Sequence, residues 1–237
     1  MDRDRIFRDT HDLVDFAFDD RVAAVFPDMI RRSVPAYETV VSIGALMAAR
    51  HIGPGGRCYD LGCSLGASSR AVLRCVTVPD VVVLAVDNSS SMLQRARALN
   101  GDETRIRWIE SDIRDVDIEN ADAVVMNYTL QFVDIDERAA LLSRIRAGVR
   151  QSGVLILAEK VHFDAPARNE YYESVHASWK RANGYSDTEV ERKRASLERV
   201  LRPDTVATHL ERLSRAGFRR SEVWFRCLNW AAFAAWP

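Results

Sequence analysis

The chain has 237 residues, 47% of them hydrophobic and 28% charged, which is ample for one α/β domain over 1–237 and marginal for two. Its 33 basic and 34 acidic residues leave a formal charge of −1, so no global basic field marks nucleic acid as a partner. No apolar run approaches the length of a membrane span and the opening residues are charged, so no membrane partner and a cytoplasmic location are expected.

Residues 1–36 contain no glycine and read as an extension rather than a strand. Phe16, Phe18, Val22, Val25 and Phe26 form an apolar face that Pro27 is expected to interrupt. Such a segment serves as a lid, a dimer arm or a cover packed on the core. A helix is predicted from Tyr37, with Val40, Ile43 and Met47 on one face and His51–Gly56 ending it.

Cys58–Arg70 reads as strand, tight turn and helix start. Gly62 and Gly66 permit backbone conformations and a close ligand approach that a Cβ would hinder, although a glycine turn of this kind is also a common connector. The β-branched run Val81–Val86 ends in Asp87, about 20 residues past Gly66, where a nucleotide-binding βαβ unit carries its ribose carboxylate. Ser64 stands where a dinucleotide loop has its second close-approach glycine, so a pyrophosphate is disfavoured. An adenosine ligand without phosphates satisfies both features. S-adenosylmethionine is the common one; NAD and a purely structural turn are the alternatives.

Alternation then continues through a helix near Met92–Leu99, a strand at Arg105–Glu110, a strand at Ala123–Asn127, a helix in Asp134–Val149 and a strand at Val154–Lys160. Asp60, Asp87, Asp112, Asn127 and Glu159 would line the carboxyl edge of a parallel sheet, where such sheets bind ligands. Cys58, Cys63, Cys75 and Cys227 have no C-x-x-C pairing and no zinc spacing, so reduced packing thiols and no metal are expected. The five histidines share no ligand spacing.

Residues 161–205 change to a helical insert: one helix closed by Gly184, then a capping box at Ser186–Glu189 starting another that runs to about Leu201. On that second helix Val190, Arg194, Leu197 and Leu201 share one stripe, with Glu191, Arg192, Lys193 and Glu198 turned outward. A guanidinium on an apolar stripe requires an anion, unless it snorkels to water or meets a structural carboxylate. A third helix ends at Gly217 and two strands close the chain. The fold class is thus α/β, a doubly wound, mostly parallel, seven-stranded sheet with an N-terminal helical extension.

Residues 19–37, YDLGCSLGAS, VDNSSSML, NYTLQFV, WKRANGYSDTEVERKR and AGFRRSEVWF together resemble the bacterial carboxy-S-adenosylmethionine synthases, of the class I methyltransferase fold, over nearly the whole chain. The resemblance implies that S-adenosylmethionine and prephenate become carboxy-S-adenosylmethionine and phenylpyruvate. It also implies a homodimer and a separate enzyme that passes the carboxymethyl group to a tRNA wobble uridine. By matching positions it assigns Tyr37, Gly62, Cys63, Ser64, Asp87, Asn88, Asp112, Ile113 and Asn127 to adenosylmethionine, and Arg194 to the added carboxylate as the residue that carries the chemistry. Tyr172, His176, Lys180 and Arg181 are candidates for prephenate. An ordinary S-adenosylmethionine-dependent methyltransferase acting on a small molecule, or a subunit that binds the cofactor without chemistry, remains as an alternative.

Overall fold

A computed structural model describes residues 3–9, 15–198 and 200–237; His11 and Arg199 lie outside the described residues. Seven strands, β1 (Arg57–Leu61), β2 (Val82–Asp87), β3 (Ile106–Glu110), β4 (Ala121–Asn127), β5 (Val149–Lys160), β6 (Arg220–Cys227) and β7 (Trp230–Trp236), form one sheet in the order β3-β2-β1-β4-β5-β7-β6. Strands β1 to β5 pair in parallel, and β7 is antiparallel to both β5 and β6.

The central strands have almost no polar side, because helices cover both faces. Along β4, Ala123 and Val125 enter one core with residues of α3 (Tyr37–Ala49) and α4 (Ala67–Cys75). Val124 and Met126 enter the other with α6 (Ile135–Gly148) and α9 (Val206–Arg215). Successive side chains of a strand point to opposite faces, and that period of two divides the core. The order turns at β1 and β4: β2 and β3 extend to one side, β4 and β5 to the other. That reversal leaves a crevice at the carboxyl ends of β1 and β4.

The extension forms α1 (Ile6–Asp9) and α2 (Asp20–Ser33), with Asp19 capping α2 through Val22 N at 3.0 Å. Contrary to expectation, Pro27 does not interrupt the apolar segment; it lies inside α2. The helix forfeits one backbone hydrogen bond there, and burial of Val22, Ala23 and Met29 in a cluster with Met92 of α5 (Ser90–Leu99) offsets the loss. The insert supplies α7 (Pro166–Ala182) and α8 (Asp187–Glu198), so α8 stops short of the predicted Leu201. Its capping box is formed: Glu189 accepts from Ser186 N at 2.8 Å while Ser186 Oγ accepts from Glu189 N at 3.3 Å.

Two buried charges fasten the turn after β4. Glu159 at the end of β5 accepts from the N–H groups of Thr129, Leu130 and Gln131 at 3.2, 2.9 and 2.9 Å, the start of a 3-10 turn at Leu130–Phe132. Arg138, fully buried, donates to the Gln131 and Arg202 carbonyls and to Asp204 at 2.6 Å, tying α6 to the end of the insert. Burial pushes the Glu159 carboxyl up, while its three N–H donors and Arg138 pull it back down. Replacing Glu159 with Ala strands three donors and is expected to cost about 2–4 kcal/mol in a urea titration. A loss below about 0.5 kcal/mol would show that other contacts hold the turn.

Candidate active site

The loops after β1, β2, β3 and β4 border a cavity of about 720 Å³ that α2, α7 and α8 close from the other side. Gly62 and Cys63 donate to the Val86 carbonyl, both at 2.9 Å, so the first loop is sewn to β2. Gly62 and Gly66 are left-handed, with φ of 75° and 81°. Within the protein, Thr129 blocks a Cβ at Gly62 and Trp108 blocks one at Gly66. The predicted need for glycine holds on packing around the loop and on the positive φ alone.

Asp87 accepts from Ser64 N at 2.8 Å on one oxygen and from Ser89 N at 2.9 Å on the other. Each oxygen keeps a lone-pair site for a ribose hydroxyl. Burial raises the Asp87 carboxyl above its ordinary range, and the two N–H bonds oppose that rise. Asp112, just beyond the neighbouring strand β3, also lines the cavity in a two-pronged pair with Arg114, whose Nε and Nη2 donate at 2.9 and 2.7 Å; those bonds hold its carboxyl below the usual range. Asn127 donates to Ser68 Oγ at 3.1 Å while its buried Oδ1 has no partner. An orphaned acceptor and an acceptor-rich carboxylate in one cavity lining fit a ligand with an amine and vicinal hydroxyls. Tyr37, Asn88 and Ile113 also line the cavity, and Tyr37 packs on Tyr128 with ring centroids 5.8 Å apart. Cys63 lines it too, but burial pushes its thiol well up, which suits packing rather than reactivity.

Two of the five strand-end residues do not face this space. Asp60 is buried and accepts from Ser69 N and Oγ at 2.9 and 2.6 Å, fixing the start of α4, and Glu159 serves the turn described above. The side chains at strand ends alternate in direction, so register alone could not separate ligand carboxylates from structural ones.

The far wall comes from the extension and insert. Phe16, Phe18 and Phe26 roof the cavity, and Ser89 Oγ donates to the Phe18 carbonyl at 2.6 Å, tying the extension to the turn after β2. Val190, Arg194, Leu197 and Leu201 all line the cavity, but so do Glu191 and Glu198, expected to face outward, so the wall is wider than the stripe read from spacing. The Arg194 side chain is 73% exposed there and meets Glu173 at 3.7 Å, so water and a carboxylate both serve the guanidinium, as the two structural alternatives predict. Lys193, expected outward, is instead buried: its ammonium donates to Ser33 Oγ at 2.7 Å and lies 3.6 Å from Asp4. Tyr185 Oη also donates to Asp4. The extension thus supplies the anion that turns Lys193 inward, a partner too distant in sequence for helical spacing to reveal.

Of the prephenate candidates, Lys180, Arg181 and His176 line the cavity, whereas Tyr172 is absent from the lining and stacks on Phe163 at 4.8 Å. Arg181 is paired with Asp187 at 2.5 Å. His176 Nε2 donates to the Ser33 carbonyl at 2.8 Å, and burial followed by Lys180 lowers its ring to about 3, so it stays neutral. Sequence reasoning missed Lys160, Tyr128 and Trp230. Their signal was position alone, at strand ends beside residues already chosen.

Burial and the neighbouring Lys193 and Lys160 lower Lys180 from 10.5 to about 7. Between those values the unfolded chain binds the proton more readily, so this lysine makes stability rise with pH. Thermal denaturation of ligand-free protein between about pH 7 and pH 9 is expected to show that rise. In Lys180→Met the slope should flatten by up to about 1.4 kcal/mol per pH unit. Equal slopes in the two proteins would remove the buried charge from the account.

A family model for a methyltransferase domain matches residues 59–153. Human N-acetylserotonin methyltransferase in complex with SAM superposes with a TM-score of 0.61 at 15% identity, over 92% of this chain and 55% of that one, a likeness of fold. The carboxy-S-adenosyl-L-methionine synthase of Geobacter metallireducens is 51% identical over 94% of this chain and 93% of its own length. That of Aeromonas hydrophila is 49% identical over 94% of this chain and 91% of its own length. The chain therefore belongs to the carboxy-S-adenosyl-L-methionine synthase family, transferases on the methyltransferase fold that use S-adenosylmethionine.

Proposed function

We propose that this protein converts S-adenosylmethionine and prephenate into carboxy-S-adenosylmethionine, phenylpyruvate and water. It acts in the cytoplasm as a homodimer, and its product supplies a separate carboxymethyltransferase that modifies a tRNA wobble uridine. The single observation that carries this reading is Arg194, a guanidinium on the wall of the same cavity as Asp87, exposed to it and, among the described residues, paired at 3.7 Å with Glu173. Transfer of a plain methyl group generates no anion for it; an added carboxylate does.

Asp87 takes the ribose hydroxyls, the Gly62–Ser64 loop carries the ligand backbone-first, and Asn88, Asp112, Ile113, Asn127 and Tyr37 complete its bed. The sulfonium acidifies its own methyl group. As prephenate aromatises, it loses carbon dioxide and its ring hydroxyl; the hydroxyl leaves with the methyl proton as water, and the methyl carbon forms its new bond to the carbon dioxide. The charge balances, a cation and a dianion giving a neutral sulfonium product and a monoanion. No protein base is required, which agrees with a His176 that is neutral and already hydrogen bonded. The phenylalanine roof keeps out water that would reprotonate the carbon.

Asp87→Ala is expected to weaken adenosylmethionine roughly tenfold or more by calorimetry, since each bond to an ionised carboxylate contributes about 1.5–3 kcal/mol. An unchanged dissociation constant in folded variant would remove Asp87 from the site. Arg194→Ala is expected to reduce the preference for carboxy-S-adenosylmethionine over S-adenosylmethionine by about thirtyfold or more, with Arg194→Lys recovering part of it. Equal losses for the two ligands would instead mark a structural arginine and return the chain to the ordinary methyltransferases.

A further inference from the structure

One cluster in the cavity lining carries charge that the adenosine contacts do not use. Lys160, the last residue of β5, and Lys180, in the last turn of α7, both line it and are both half-buried. Among the described residues neither ammonium has a hydrogen bond or an ion pair. The charged neighbours acting on Lys180 are Lys193, Lys160 and Arg194, all cations. Lys160 feels Glu173, but that carboxylate already meets Arg194 at 3.7 Å. Glu191 and Glu198 also line the cavity, exposed on α8, but neither pairs with Lys160 or Lys180. Two recessed ammonium groups without a counter-ion are costly to keep, and an anion entering beside them recovers that cost.

The surface beside them is flat and aromatic. Trp230 lines the cavity with its ring edge-on to Tyr128 at 5.4 Å and to His176 at 5.9 Å, and its buried Nε1 has no acceptor. A donor without an acceptor and two cations without anions thus share one wall with an apolar ring face.

We propose that Lys160, Lys180 and Trp230 form the subsite for the second substrate, a small six-membered ring whose side chain ends in a carboxylate that these lysines hold, leaving Arg194 for the carboxylate that appears on the sulfonium ligand. This rests on the two-substrate reading above and assigns the residues that position its anionic partner. The lysines bind a carboxylate as point charges, the indole N–H donates to the same group, and the ring lies along Tyr128 and Trp230. Neutral His176 separates this wall from the extension and contributes no charge.

The test uses Lys160→Met and Lys180→Met in the full chain. Removing a recessed charge should leave both variants folded, at least as heat-stable as the native protein near neutral pH. Prephenate KM and the calorimetric dissociation constant of phenylpyruvate should each rise at least about thirtyfold, while adenosylmethionine affinity stays within about twofold. Lys180→Arg should restore much of the binding, because it returns the charge. Unchanged phenylpyruvate affinity in both methionine variants would overturn the site. So would parallel weakening of adenosylmethionine, which would mean that the lysines hold the methionine carboxylate instead. Native protein that binds phenylpyruvate through these lysines but does not turn prephenate over would contradict the synthase reading while supporting the subsite.

Discussion

The reversal of strand order between β1 and β4 is the constraint on which the site depends. Strands β2 and β3 extend from β1, and β4 and β5 turn the other way, so the helices that follow β1 and β4 leave on opposite faces. No connection covers the carboxyl ends at that junction. The Gly62 loop, the Asp87 turn and Asn127 converge there because their strands end side by side, in a register that pairs Leu61 with Val86 and Asp60 with Val125. Buried Glu159 then fixes the turn after β4, and Thr129 in that turn leaves no room for a side chain at Gly62. The loop and the turn are therefore shaped by each other before any ligand arrives.

The cavity lining brings groups of both signs into one enclosure. Asp87, Asp112 and the unpaired oxygen of Asn127 offer acceptors. Lys160, Lys180 and Arg194 offer cations, with Glu173 among them. A sulfonium nucleoside and an anionic reagent would each find a complementary group in the same enclosure, which a carbon transfer from one to the other requires. The extension completes the enclosure. Its Asp4 neutralises Lys193, and its phenylalanines close the roof, so a segment outside the sheet sets both the charge and the dryness of the site.

The parallel sheet was legible because buried strands read as β-branched runs at even spacing, and the Gly62 loop and Asp87 followed from their distance apart. Arg194 was legible from helical periodicity. What the sequence hid were long-range pairings. Lys193 looks solvent-facing on its helix until Asp4 and Ser33 are brought to it. Asp60 and Glu159 look like ligand carboxylates until Ser69 and the 3-10 turn claim them. Pro27 reads as a break until α5 packs beneath α2 and holds the helix together. In each case a contact between residues far apart in the chain outweighed a local rule.

In the proposed reaction, carbon dioxide released from the second substrate is captured on the methyl carbon of S-adenosylmethionine. Incubating the protein with S-adenosylmethionine and prephenate carrying a heavy carbon only in the ring carboxylate, then reading the products by mass spectrometry, tests this directly. The account predicts carboxy-S-adenosylmethionine with the label in its new carboxylate, matched one for one by unlabelled phenylpyruvate. S-adenosylhomocysteine as the product, or a carboxylated product without the label, would contradict it.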